Sequence, residues 1–149
     1  MDDLEKQRYE ATGESLADRQ RAELLQQNVD VLWRKLGEQI KAQTTAYEAR
    51  FQKAQTISIT ETPGYIHVRK FDNPMADLHL TKNQSCVHYE FSFRVTVFEP
   101  DTPITGFIKP ALDKNGGLRN YTRDEEEDYP TLPMLTDWFM KALISGKVS

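Results

Sequence analysis

The spacing of apolar residues changes once along this chain, near Ala54, and that change limits the folds open to it. Before it, Leu25, Val29, Leu32, Leu36, Ile40, Tyr47 and Phe51 recur at the spacing of one face of an α-helix. Leu25, Leu36 and Tyr47 stand eleven residues apart, as do Val29, Ile40 and Phe51. An eleven-residue repeat stays nearly in phase with a straight helix, so the stripe suits a helix lying on a surface better than a left-handed coiled coil. After Ala54 the period is two. Ile57 and Ile59 alternate with Ser58 and Thr60, Ile66 and Val68 with His67 and Arg69, and Leu78 and Leu80 flank His79.

The longest alternation runs from Val87 to Val97. Val87, Tyr89, Phe91, Phe93, Val95 and Val97 share one face; Cys86, His88, Glu90, Ser92, Arg94 and Thr96 share the other. Such a pattern fits an antiparallel sheet with one face buried and one in water. Pro63-Gly64, Asp72-Asn73-Pro74, Lys82-Asn83-Gln84-Ser85 and Asn115-Gly116-Gly117 separate the runs as turns. Ile104 to Ile108 gives a further short strand, Leu118 to Thr122 an edge strand, and Asp124 to Asp128 an acidic loop.

A second helix is expected to start at Thr131, with Pro133 in its first turn, and to stop at Gly146. Leu135, Trp138, Phe139, Ala142 and Leu143 form its apolar face. The expected fold is therefore α+β: a long N-terminal amphipathic helix packed on an antiparallel five- or six-stranded meander, closed by a short C-terminal helix. Residues 1–14 read as a disordered or frayed tail and 15–149 as a single α+β domain, the helix starting at the weak capping signal Ser15–Asp18. Unbroken from Ser15 to Ala54, that helix would be about 60 Å long. A small sheet is shorter than that, so either Gly37 or Thr44-Thr45 interrupts it or one end projects.

Composition narrows function by exclusion. With 19 basic and 23 acidic residues the formal charge is −4, and no basic patch carries interleaved aromatics, so nucleic acid is not an expected partner. No apolar run approaches the roughly 20 residues that cross a bilayer, and Met1 to Lys6 lacks a signal-peptide pattern, so the expectation is no membrane and a cytoplasmic location. The single cysteine, Cys86, fits a reducing compartment. No phosphate-binding glycine loop, HExxH or CxxC pattern is present.

The histidines carry the one chemical signal. His67, His79 and His88 each fall at the outward phase of a strand. A two-residue turn at Asn83-Gln84 would pair Lys82 with Ser85, and so Leu80 with Val87 and His79 with His88. A matching hairpin at Pro63-Gly64 puts Thr60 opposite His67 and Ile59 opposite Val68. Opposed side chains have Cβ atoms about 4.5–5.5 Å apart, near enough for imidazoles to share an ion. Cys86 lies two residues before His88 and Glu90 two residues after it, and both are acceptable ligands for a zinc-like metal.

Surface histidines without a ligand are the plainer account of the same pattern. Cys86 with His79 or His88 as nucleophile and base lacks any evident third group or oxyanion hole, so no catalytic residue is assigned. The reading that needs fewest coincidences is a non-enzymatic binding or self-associating module, a homodimer formed through the long helix or an edge strand. A transition-metal site of His67, His79 and His88, with Cys86 or Glu90, is the alternative. A small-ligand pocket between helices and sheet, lined by Tyr89, Phe91, Phe93, Trp138 and Phe139, is a further one.

Overall fold

The computed structural model describes residues 3–51, 56–72, 74–94 and 103–148, with backbone alone for 3–16. Within them lie helix α1 (Asp3–Arg50), strands β1 (Ile57–Thr62), β2 (Tyr65–Lys70), β3 (Met75–Lys82), β4 (Val87–Arg94), β5 (Ile104–Leu112), β6 (Leu118–Arg123) and β7 (Glu127–Tyr129), and helix α2 (Leu132–Ser145). The strands form one antiparallel sheet whose order across the sheet is their order along the chain. The α+β architecture and antiparallel meander follow the sequence reading; the strands number seven. Among the described residues no helix is long and apolar enough to cross a membrane.

The helical stripe meets the sheet where its spacing says it should. Val29, Leu32, Leu36 and Ile40 are buried, Leu25 and Tyr47 are half-buried against the core, and Phe51 at the end is exposed. They cover the inner sheet face of Ile66, Val68, Ala76, Leu78, Leu80, Val87, Tyr89, Phe91 and Ile108. Each large apolar side chain fully removed from water contributes roughly 1.5–3 kcal/mol. α1 is continuous. Gly37 does not break it but lets it approach the β1–β2 hairpin: a Cβ there would sit 3.1 Å from Glu61 Oε1 and 3.5 Å from Ile66 Cδ1. Thr44 is buried, and the Thr45 hydroxyl donates to the Lys41 carbonyl at 3.0 Å, so these threonines are absorbed within the helix. The helix also begins earlier than the Ser15 signal suggests, at Asp3, so the expected tail over 1–14 is helical from Asp3 onward.

α2 closes the inner face as expected. Thr131 caps it, accepting from the Met134 amide at 3.4 Å, and Gly146 ends it in the left-handed region, its amide donating to the Ala142 carbonyl at 2.9 Å. Trp138 and Phe139 pack against Tyr89 and Phe91, with ring centroids 5.2–5.9 Å apart, and Phe93 stacks on Phe91. The five aromatics offered by the sequence as a pocket lining thus touch one another.

The extra strand comes from the segment expected to be an acidic loop. Asp124 and Glu125 both adopt positive φ, 55° and 59°, which turns the chain tightly enough for Glu127–Tyr129 to pair back on β6. The conformation is uncommon outside glycine, and aspartate tolerates it better than glutamate does. Asp124 is held in it by the Tyr89 hydroxyl, which donates to Oδ2 at 2.5 Å, and by the Phe107 amide, which donates to Oδ1 at 2.9 Å. β6 is consequently an interior strand, not the edge. Val95 and Val97, expected on the long strand, lie outside the described residues.

Candidate metal centre

The outer sheet face is built by alternation. β2 turns Tyr65, His67 and Arg69 outward, β3 turns Asp77, His79 and Thr81, and β4 turns His88, Glu90 and Ser92. The β1–β2 register is the expected one, Thr60 opposite His67 and Ile59 opposite Val68. β2 and β3 then set His67 directly opposite His79. Their rings stack, centroids 4.3 Å apart and planes inclined by 10°.

The β3–β4 register differs from expectation. Asn83 faces Cys86, its amide donating to the Cys86 carbonyl at 2.9 Å, so the two turn residues are Gln84 and Ser85. Moving the turn by one residue moves each cross-strand partner by two. His79 therefore faces Glu90, and His88 faces Thr81. Because the shift is even, His79 and His88 stay on one face. His88 is exposed, and Phe107 stands on its other side. Cys86 precedes β4, half-buried, with its thiol accepting from Asn83 Nδ2 at 3.8 Å. Neither belongs to the cluster that the fold assembles.

That cluster is His67, Asp77 and His79, one ligand atom from each lying within 4.8 Å of the others. Asp77 is the member the sequence reading missed. It lies two residues before His79, so strand parity alone places it on the same face. His67 Nε2 and Arg69 Nε both reach Asp77 Oδ1 at 2.7 Å. The Tyr65 hydroxyl bonds His79 Nδ1. The three side chains are half-buried, and each is oriented by a neighbour.

The electrostatics favour the neutral form of His79. Burial pushes its imidazole below the ordinary histidine value, and the adjacent His67 adds to the effect; Asp77 and Glu90 oppose it and are outweighed. Burial acts to raise the Asp77 carboxyl, but hydrogen bonds from Arg69 and His67 outweigh it and hold the group below its usual range. A neutral imidazole and an ionised carboxylate are the forms that bind a transition metal. Bonds of about 2.0–2.2 Å to a shared ion would require donor atoms roughly 3–4 Å apart.

Among the described residues, surface grooves lie elsewhere. One of about 670 Å3 runs between α1 and α2 beside Tyr47, Phe51, Met140 and Ile144. One of about 310 Å3 adjoins Trp33 and Ile66, and one of about 360 Å3 adjoins Leu25 and Pro110. In comparison with known proteins, no family, no curated protein and no solved structure matches this chain.

Proposed function

We propose that the protein is a non-enzymatic binding module whose outer sheet face holds a zinc-like divalent metal through His67, Asp77 and His79. The observation that carries this reading is the convergence of two imidazoles and a carboxylate on adjacent strands of a rigid sheet. Arg69 on Asp77 and Tyr65 on His79 supply the outer support that metal ligands ordinarily need. Cys86 stays out of the site and suits a reducing, cytoplasmic setting. Calorimetric titration of chelator-treated protein with Zn2+ tests the reading. One equivalent should bind, and His67→Ala or His79→Ala should each weaken binding at least about tenfold. A wild-type chain that takes up no Zn2+, or variants that bind as well as wild type, would remove it.

Self-association is a second reading, favoured by the sheet's unequal edges. β7 is only three residues long, whereas β1 offers six residues of open edge, without proline or bulge. Such an edge is a template for pairing with a second copy. Light scattering against concentration is the relevant measurement.

A further inference from the structure

Resting on the metal reading above, we infer that Glu90 is the fourth protein ligand, making the set two imidazoles and two carboxylates across three strands. β3–β4 pairing places Glu90 directly opposite His79, on the side away from His67, so His67, His79 and Glu90 form one row across the outer face. Opposed residues have Cβ atoms about 4.5–5.5 Å apart, and a glutamate side chain spans that gap by rotation about its own bonds.

Glu90 is half-buried, and among the described residues no hydrogen bond or ion pair engages its side chain; its charge acts on His79 across the strand pair. The other acids of this neighbourhood are engaged: Asp77 with Arg69 and His67, and Glu61 with Lys41 at 2.7 Å. A partly desolvated anion without a cation is unfavourable, and a bound dication would answer it. The charge of Asp77 is already shared with Arg69, so Glu90 would bring the uncommitted negative charge to a divalent ion. Glu90 lies outside the three-atom cluster, so it enters by turning toward the ion when the ion binds. An N2O2 set without thiolate favours Zn2+, Co2+, Fe2+ or Mn2+ over soft monovalent copper.

The test is titration of wild type, Glu90→Gln and Glu126→Gln with Co2+, followed by calorimetry and visible absorption. Glu126 is an exposed control away from the face. Wild type and Glu126→Gln should bind one equivalent with the same spectrum. Glu90→Gln should bind about tenfold or more weakly, with a changed d–d band, because the ion loses a charged donor. An unchanged affinity and spectrum in Glu90→Gln, with His79→Ala still abolishing binding, would overturn the role of Glu90 alone. Absence of Co2+ and Zn2+ binding in wild type would overturn both this inference and the reading beneath it.

Discussion

Gly106→Ala should destabilise the fold far more than loss of one glycine ordinarily does. Gly106 on β5 pairs with Tyr89 on β4, and the space where its side chain would stand is filled by Asp124. A Cβ there would meet Tyr89 Cζ at 2.5 Å and lie closer still to the Tyr89 hydroxyl and Asp124 Oδ1. The carboxylate must leave. With it go the bond from Tyr89 at 2.5 Å and the bond from the Phe107 amide at 2.9 Å. Hydrogen bonds to a charged group contribute about 1.5–3 kcal/mol each, so the expected loss is roughly 3–6 kcal/mol. The positive-φ turn at Asp124-Glu125 also loses its anchor. Gly64→Ala is the control: Gly64, unlike Gly106, sits at positive φ, 75°, but a Cβ there meets nothing within 4 Å. Its cost should be only the left-handed backbone penalty of roughly 1–2 kcal/mol. Urea denaturation of the two variants measures both. If Gly106→Ala costs no more than Gly64→Ala, Asp124 is not the strut described above.

The same network fixes a pH dependence. Burial first, and then the hydrogen bond to Asp124, push the Tyr89 hydroxyl up to about 12 from an ordinary 10. A raised folded value means that the protonated form favours folding. The contribution is complete below pH 10 and disappears between about 10 and 12, a difference of roughly 2–3 kcal/mol. Denaturation midpoints of wild type should fall across that window more steeply than those of Tyr89→Phe; parallel curves would contradict the assignment. For self-association through β1, the mean mass should rise toward a dimer with concentration, and Glu61→Pro, which removes an amide facing the open edge and not one of the β1–β2 ladder, should stay monomeric. A wild type that remains monomeric at high concentration would rule that pairing out.

Much of the fold was legible because burial and periodicity report the same thing. The stripe on α1, the alternation through β4 and the cap and stop residues of α2 each depend on local spacing, and the structure follows them. The β3–β4 register was not legible for an equally physical reason. Val87, Tyr89, Phe91 and Phe93 are all apolar, so Leu80 finds a suitable neighbour whether it faces Val87 or Tyr89. Hydrophobic matching tells inward from outward but not one inward partner from the next. The turn chemistry of Asn83-Gln84-Ser85 was too weak to decide. The seventh strand was hidden because Asp124-Glu125-Glu126 reads as a solvated acidic loop; its turn exists through the Tyr89 hydroxyl and Phe107 amide, which no local pattern reveals. Asp77 was within reach, since it shares parity with His79. The stacking of His67 on His79 depends on the β2–β3 register, which the residues around Asp72-Asn73-Pro74 do not fix by themselves.

The chain-ordered sheet also has a kinetic meaning. Each strand pairs with the one made just before it, so the meander can zip up by closing short loops in succession. α1 cannot join so early. Its contacts reach forward to Ile66, to Gly116 and to the Pro133 carbonyl, which accepts from Gln43 at 3.4 Å. During synthesis this 48-residue helix therefore precedes every surface that shelters it. The charged and amide side chains on its remaining faces suit it to water, and its apolar stripe can be buried only as the strands that follow it are made.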